Sequence, residues 1–390
     1  MIDFELSKVD KEVLDEVRKQ SLICREYARY YDDHEEEFVP DALPDADKHV
    51  SPYALLGKLG ENDTTMGVMS LLIGAGLAWG DYSVRMRVDG GGLGNAALRA
   101  AGTDEQCERW QGKRLAMAIT EPSCGSDSKA IQTTALLDGD EWVINGEKIF
   151  VTTGCRCDGV VVWATIDKSA GRAGIKSFII FKGIPGFDVT HKEKKLGIRT
   201  DDTAAMVFRD CRIPRDHLLG LNESIPKKGA GGFRGVMKTF NNTRPFVAAV
   251  GLGMAQAALD FTRDVLADEG IEVDWSAGEH SRSAMQQALI EIEADIEAAM
   301  LDVLHAGWMG SNSEPNNLEA SVAKAKGGEV ARTATSRCLE ILGGLGITQD
   351  YLVEKWFRDS RITDIYEGTG EIQRLIIARD ILGYSSADLS

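Results

Sequence analysis

The stretch that decides the fold is Ile131–Gly154, which reads IQTTALLDGDEWVINGEKIFVTTG. Apolar and polar residues alternate along it, and its Asp-Gly and Asn-Gly pairs are turn signals of β-hairpins. Three more short strand patterns follow, in GVVVWATI, SFIIFKG and TAAMVFRDCRIP. We therefore predict a compact, mostly antiparallel β domain over residues 116–225.

Helical patterns flank this β domain on both sides. Before it, KEVLDEVRKQSLICREYARYY and MGVMSLLIGAGLAW place apolar residues at spacings of three and four. After it, SRSAMQQALIEIEADIEAAMLDVLHAGWMG continues over many helical turns with a wide apolar stripe. The predicted fold class is therefore α+β, with an N-terminal helical domain at 1–115 and a C-terminal helical bundle at 226–390.

Composition and charge exclude several classes of function. The chain has 390 residues, of which 43% are hydrophobic and 27% charged, as is typical of soluble globular proteins with more than one core. No uninterrupted apolar run is long enough to span a bilayer, and the N-terminal segment has the pattern of a mature amphipathic helix. A net charge of −17 argues against nucleic acid or an anionic membrane as the main partner.

The cysteines indicate the compartment. There are seven, an odd number scattered along the chain, which favours a reduced, cytoplasmic location over a disulfide framework. Cys155-Arg-Cys157 could belong to a metal site, but the six histidines form no matching cluster. We therefore predict no metal.

Five short segments have the composition of a cofactor or substrate site. They are Ala118–Asp127, Glu147–Gly154, Gly229–Pro245, Cys338–Gly346 and Ile362–Arg374. The hydroxyls and free backbone N–H groups of the first segment suit ring carbonyls and phosphate oxygens. An ordinary proline-containing turn with capping hydroxyls would explain that segment equally well.

Two of these segments contain side chains with a specific chemical expectation. Phe150 and Thr152 are two positions apart and so share a strand face, which suits stacking on a flat cofactor, although a half-buried strand has the same residues. Glu367 precedes Gly368 and Thr369 in ITDIYEGTGEIQR. It is either a solvated loop acid or a general base held against a buried substrate.

Taken together and in this order, the segments resemble the acyl-CoA dehydrogenase family. AITEPSCGSD, INGEKIFVTTG, NNTRPFVAA, EILGGLGITQDYLVEKWFRD and IYEGTGEIQR are similar to the family's segments, and the likeness extends from about residue 50 to 384. It implies an N-terminal helical domain, a middle β-barrel-like domain and a C-terminal four-helix bundle, of the medium- or short-chain type. It also implies FAD between the β domain and the bundle, in a homotetramer or dimer of dimers.

The resemblance assigns roles residue by residue. Glu367 would remove the α-proton of an acyl-CoA while the β-hydride passes to flavin N5, and an electron-transfer flavoprotein would accept the electrons. No acid occupies Phe240–Asn242, where some family members carry the base. The residues assigned to FAD are Thr120, Ser126, Phe150, Thr152, Glu340, Gly343, Gly344, Thr369 and Glu371. Those assigned to substrate or CoA are Ser126, Arg244, Gly368 and Arg85.

The sequence departs from the family at the FAD pyrophosphate. The run Asp268–Ser281 has five acids and lacks the family's arginine, and Glu340 and Glu371 stand where the family has glutamine. Carboxylates repel a pyrophosphate unless a cation offsets them. Either a second chain in a heteromer supplies the arginine, or a homo-oligomer uses another cation, Arg263 or Arg282.

Substrate and acceptor stay open at this level. Arg85 falls where glutaryl-CoA dehydrogenases carry the arginine that pairs with a distal carboxylate, but an internal acid such as Asp81 or Asp89 is an alternative partner. A dicarboxylic acyl-CoA is therefore an alternative substrate. An acyl-CoA oxidase, a reductase running the reaction backwards and a flavin-poor structural subunit are alternative functions.

Overall fold

The computed structural model describes residues 5–39, 66–88, 92–225 and 233–384, without the side chains of 66, 85–88, 233–242 and 279. The glycine turn at 229–232, most of the proline connector that begins at Phe38, and Asp89 lie outside this description, as do the side chains of Arg85 and of 240–242. The described helices are α1 (Lys8–Asp33), α2 (Met66–Val88), α3 (Leu93–Ala101), α4 (Asp104–Arg109), α5 (Phe233–Asp268), α6 (Ala284–Ser311), α7 (Asn317–Leu342), α8 (Val353–Ser360) and α9 (Gly370–Leu382).

The sheet lies between the two groups of helices in sequence. Its strands are β1 (Leu115–Ala118), β2 (Thr134–Asp138), β3 (Glu141–Thr152), β4 (Gly159–Thr165), β5 (Ile175–Phe181), β6 (Phe187–Lys192) and β7 (Thr203–Pro214). The strand order is β1-β4-β2-β3-β7-β6, with β5 paired to β4. All pairs are antiparallel except β4 with β1 and with β2, which confirms the predicted α+β fold with a mostly antiparallel middle sheet.

The alternation in the opening stretch of sequence produces the core of this sheet. Trp142 and Ile144 of β3 are buried with Phe178 and Phe208 from neighbouring strands. Strand β3 carries one residue more than β7 between Lys148 and Val151, so a β-bulge forms there.

The described chain divides into two compact units. One comprises Met1–Asp89, Leu196–Thr200 and Asn241–Ser390, and the other Gly90–Lys195 and Asp201–Phe240. The N-terminal helices α1 and α2 therefore share a unit with the C-terminal bundle, whereas the sequence suggested a separate domain at 1–115.

Small residues on α2 explain this association. A Cβ at Gly80 would lie 2.3 Å from the carbonyl oxygen of Ser21 on α1. A Cβ at Gly253 of α5 would lie 2.1 Å from the carbonyl oxygen of Ala75. Helix α2 thus approaches α1 on one side and α5 on the other at backbone distance.

Part of α5, Thr243–Asp268, has the length and mean hydropathy (1.2) of a membrane-spanning helix, but 78% of its most apolar window is buried within the protein. Ala248, Leu252 and Leu259 lie in the same core cluster as residues of α6 and α7. The helix is therefore best explained as the central element of the bundle.

A buried ionic cluster links α2 to α8. Lys355, fully buried, donates to Asp81 Oδ2 and Asp359 Oδ2, both at 2.5 Å. Asp81 interrupts α2 with φ −157° and accepts from the backbone N–H of Val84 through its other oxygen. Asp359 accepts from Ile198 N. Burial alone would lower the pKa of Lys355, but the two carboxylates outweigh it and raise that pKa.

A second set of ion pairs surrounds this cluster. Arg358 donates to Asp32 at 2.6 Å and to Glu354 at 2.7 Å, and Arg29 donates to Glu354 at 2.6 Å. These contacts connect α1 to α8, so both N-terminal helices are fixed to α8 by charge as well as by close packing.

The variant Lys355→Met should lower the free energy of unfolding by about 3–5 kcal/mol, because it leaves two buried carboxylates without a cation. Reversible urea unfolding measures the change. As a control, Lys8→Met removes an exposed lysine from α1 and should leave the urea midpoint unchanged. Equal midpoints for the two variants would contradict a structural role for the cluster.

Candidate active site

Glu367 occupies a strained position between the turn Arg361–Asp364 and α9. Its φ is +56°, a left-handed conformation that a residue with a side chain adopts only when its surroundings enforce it. The carboxylate oxygen Oε2 accepts a hydrogen bond of 2.9 Å from Thr243 Oγ1 on α5. Burial raises the pKa of Glu367, while the Thr243 hydrogen bond, Lys324 and Arg244 act in the opposite direction.

The residues after Glu367 form the start of α9. Thr369 is the N-cap and accepts from Ile372 N at 3.3 Å. Gly368 has φ +93°, and a Cβ there would lie 2.4 Å from Gln373 Nε2, so only glycine fits. Gln373 Nε2 donates to the carbonyl oxygen of Gly368 at 3.2 Å. The turn that holds Glu367 is therefore stabilised by hydrogen bonds from residues that follow it in the chain.

The other residues of this motif are more exposed than a fully enclosed base would require. Ile365, two residues before Glu367, is 48% exposed, whereas Tyr366 is half-buried. Glu371 is exposed in the first turn of α9, where backbone N–H groups lower its pKa.

Arg244 lies one residue after Thr243 and is buried. Its Nη1 lies 3.4 Å from Asn317 Oδ1 and 3.5 Å from Ser321 Oγ, both on α7. Desolvation lowers its pKa, and Glu367 partly offsets this. The structure thus brings Arg244 and Glu367 together; a contact of Arg244 with CoA stays a prediction.

In the β unit, the structure brings the residues assigned to the flavin ring together. The backbone N–H of Ile149 donates to the carbonyl oxygen of Thr120 at 3.0 Å, which places Thr120 beside the bulge of β3. Phe150 lies in this bulge with φ +55° and is 59% exposed, and Thr152 is half-buried. The simple strand alternation from which we inferred a shared face does not hold across a bulge.

Sequence reasoning missed the ion pair that organises this region. Glu121, in the turn after Thr120, accepts from Lys148 Nζ at 2.7 Å and from Thr133 Oγ1 at 2.6 Å. Lys148 also donates to the carbonyl oxygen of Ile119 at 3.0 Å. Desolvation lowers the pKa of Lys148 to about 8, against the attraction of Glu121. The alternation along β3 could have indicated its burial, since Lys148 is an even number of residues from Trp142 and therefore falls on the same, buried face of the strand.

Four more residues assigned to FAD are exposed, three at the C-terminal end of α7 and one in the loop after β1. Gly343 ends α7 with φ +55°, and a Cβ at Gly344 would meet no atom within 4 Å. Glu340 is exposed and accepts from Ser336 Oγ at 3.1 Å, and Ser126 is exposed in the β unit.

The two arginines considered as substitutes for the family's arginine differ in their hydrogen bonding. Arg263 is engaged by Glu293 through both of its terminal nitrogens, at 2.8 and 2.5 Å. Among the described residues, Arg282 donates one hydrogen bond, of 3.3 Å, to the carbonyl oxygen of Trp275, and it attracts Asp274. Arg282 is therefore the more available of the two.

Arg85 lies on α2, but the direction of its side chain is outside the described structure. Asp81, considered as its internal partner, is engaged by Lys355 instead. Among the described residues, no group of three or more His, Cys, Asp or Glu side chains could hold a metal ion.

Comparison with known proteins identifies the family. The acyl-CoA dehydrogenase middle domain matches residues 116–211, and the acyl-CoA dehydrogenase C-terminal domain matches 230–382. The mitochondrial short-chain specific acyl-CoA dehydrogenase of Bos taurus is 35% identical over an alignment of 379 residues, which covers 92% of this chain and 88% of that protein. The chain belongs to the acyl-CoA dehydrogenase family. It is an FAD-dependent oxidoreductase.

Solved structures of acyl-CoA dehydrogenases have the same fold. Butyryl-CoA dehydrogenase from Megasphaera elsdenii has a TM-score of 0.79 and 27% identity, covering 98% of this chain and 100% of its own. The glutaryl-CoA complex of glutaryl-CoA dehydrogenase has a TM-score of 0.81 and 25% identity, covering 99% of this chain and 98% of its own. The family and the α+β fold class inferred from the sequence are thereby confirmed.

The residues of this acyl-CoA dehydrogenase fit FAD. Phe150 presents an exposed aromatic ring in a strained bulge next to the Thr120 segment. The space around Gly344 is open, as a close approach of backbone to a ligand requires. Thr369 holds the first turn of α9, whose N–H groups favour a negatively charged ligand.

The variant Glu121→Gln should lower the free energy of unfolding by about 3 kcal/mol or more, because Lys148 is then buried without an anion. It should also weaken FAD binding, because the Thr120 segment loses its anchor. Urea unfolding and equilibrium FAD titration of the apoprotein measure the two effects. The control Glu147→Gln, which changes an exposed neighbour of Lys148, should alter neither; matching results for the two variants would contradict the anchoring role.

Proposed function

We propose that the protein catalyses α,β-dehydrogenation of an acyl-CoA thioester to the trans-2-enoyl-CoA, with Glu367 as the base for the α-proton. The observation that carries this proposal is the environment of Glu367. A carboxylate is held in a left-handed conformation, oriented by Thr243 and partly removed from water, while Arg244 and Lys324 offset its burial. A solvent-exposed carboxylate in a loop requires none of these contacts.

The chemistry requires such an environment. A C–H bond beside a thioester is a very weak acid, so the base must be desolvated and fixed within reach of it. Thr243 fixes the Oε2 oxygen of Glu367, and we assign the Oε1 oxygen to the substrate proton. The developing enolate needs hydrogen-bond donors, a role we assign to the N–H groups around Glu367 and Gly368. FAD, when bound, accepts the β-hydride.

The residues proposed for FAD are those that the resemblance to the family assigns. In the β unit, Thr120, Thr152 and Phe150 would contact the flavin ring, and Ser126 phosphate or CoA. The C-terminal helices would contribute a second set, consisting of Glu340, Gly343, Gly344, Thr369 and Glu371. Arg244 and Gly368 would serve the CoA thioester.

We propose a short straight-chain acyl-CoA as the substrate. The relatives named for short-chain and butyryl substrates support it. The dicarboxylic alternative depends on Arg85 and is favoured by the likeness to glutaryl-CoA dehydrogenase and by the engagement of Asp81 with Lys355.

An electron-transfer flavoprotein is the proposed electron acceptor, and the cytoplasm the proposed location. For the assembly, a homotetramer in which Arg282 approaches the pyrophosphate is the simplest proposal. The heteromeric alternative is supported by the engagement of Arg263 with Glu293.

The variant Glu367→Gln should slow anaerobic bleaching of the flavin by butyryl-CoA about 10²- to 10⁴-fold, because it removes the base and keeps the shape of the side chain. FAD content per chain should equal that of the wild type. In the wild type, the rate should fall as the pH decreases through the raised pKa of Glu367, since only the ionised carboxylate accepts a proton.

Asp380→Asn, which changes an exposed acid on α9, is the control and should leave the rate unchanged. Undiminished bleaching by Glu367→Gln would reject the assignment of the base. Wild-type protein that binds no FAD when purified alone would favour the structural-subunit alternative.

A panel of acyl-CoA thioesters should show the fastest bleaching with butyryl-CoA and slower bleaching with long-chain and glutaryl-CoA substrates. Stopped-flow absorbance gives the rates. Arg85→Gln should affect butyryl-CoA and glutaryl-CoA equally, and Arg99→Gln, at an exposed site on α3, controls for the loss of charge. Fast bleaching by glutaryl-CoA that Arg85→Gln selectively abolishes would instead establish the dicarboxylic substrate.

A further inference from the structure

Lys324, in the middle of α7, is fully buried, and no group in the described part of the chain accepts a hydrogen bond from its Nζ. A buried ammonium without a hydrogen-bond partner is unfavourable unless nearby charges stabilise it. The groups that it faces therefore decide its role.

The helical spacing locates Lys324 between two observed contacts. Ser321, Lys324 and Gly328 are separated by three and four residues and so lie on one face of α7. Ser321 Oγ is 3.5 Å from Nη1 of Arg244, and a Cβ at Gly328 would lie 3.1 Å from the Cα of Asp364. Lys324 thus lies between the arginine next to Thr243 and the turn that leads to Glu367.

Charged groups on α5, on α9 and in the segment from Arg361 to Glu367 act on this ammonium. Asp364, Glu367 and Glu371 attract it, and Arg244 repels it. Desolvation is the largest influence and lowers the pKa of Lys324 to about 8, while the three carboxylates raise it.

Glu367 experiences the reciprocal interaction. Burial raises its pKa, and the groups that oppose burial are the Thr243 hydrogen bond, Lys324 and Arg244. Of the two cations, Arg244 has side-chain oxygens within 3.5 Å on α7, whereas no described group accepts a hydrogen bond from Lys324 and carboxylates attract it.

We propose that Lys324 is a positioning residue for Glu367, whose ammonium stabilises the ionised carboxylate and fixes the turn that carries it through Asp364. The inference rests on the proposed role of Glu367 as base. The attraction exists only while Glu367 is ionised, so Lys324 favours the form that can accept the substrate proton. The competing explanation is that Lys324 neutralises Asp364 and has no influence on the base.

The pH dependence of anaerobic flavin bleaching at saturating butyryl-CoA separates the two explanations. Lys324→Met should move the midpoint of the profile of rate against pH upward by at least about 0.5 pH units, about threefold at a fixed pH, because Glu367 then ionises at higher pH. Lys324→Arg, which keeps the charge, should move the midpoint back toward that of the wild type. Lys326→Met removes a charge from another face of α7 and should leave the midpoint unchanged. A wild-type midpoint in Lys324→Met would overturn the proposal.

A second measurement does not depend on turnover. In a double-mutant cycle followed by urea unfolding at pH 7, Lys324→Met should cost more stability in the wild-type background than in the Glu367→Gln background. Equal costs would overturn the proposal, even if no acyl-CoA bleaches the wild type. Absence of bleaching by the wild type together with unequal costs would reject the proposed function and retain the coupling.

Discussion

The buried ammonium of Lys355 is the constraint on which the helical unit depends. It binds one carboxylate from α2 and one from α8, and the second oxygen of each carboxylate accepts a hydrogen bond from a backbone N–H. The break in α2 at Asp81 follows, since an unbroken helix would not offer Val84 N to that side chain. The N-terminal helices are thereby held to the element that precedes Glu367 in the chain.

Buried lysines recur in both units, but they differ in how they are satisfied. Lys355 and Lys148 each have two protein oxygens within 3.0 Å, and both fix the path of the backbone. Lys324 has none among the described residues and faces carboxylates at the proposed base. A buried lysine that donates hydrogen bonds to protein oxygens makes the surrounding backbone rigid. A buried lysine that is stabilised by electrostatic attraction responds to a change in the charge of a neighbouring group.

Much of the architecture could be predicted from the sequence, because hydrophobic periodicity is a local property. Alternation located β3, and the motif around Glu367 located the proposed base. Long-range packing was harder: nothing near α2 indicates that Gly80 will lie against α1. Lys324 also resembles a solvated helix residue in the run AKAKGG, because its burial depends on contacts with segments distant in sequence. The bulge at Phe150 was hidden because strand periodicity assumes regular pairing.

The pentapeptide Leu196–Thr200 joins β6 to β7 in sequence and belongs to the helical unit. Ile198 N bonds Asp359, and a Cβ at Gly197 would lie 2.3 Å from the carbonyl oxygen of Arg358. A chimera that takes its middle segment from a homologue would therefore combine the loop of one protein with the α8 helix of another. Recombination breakpoints that take the loop and α8 from the same parent preserve the contact. The two segments that must be inherited together are therefore separated in the gene.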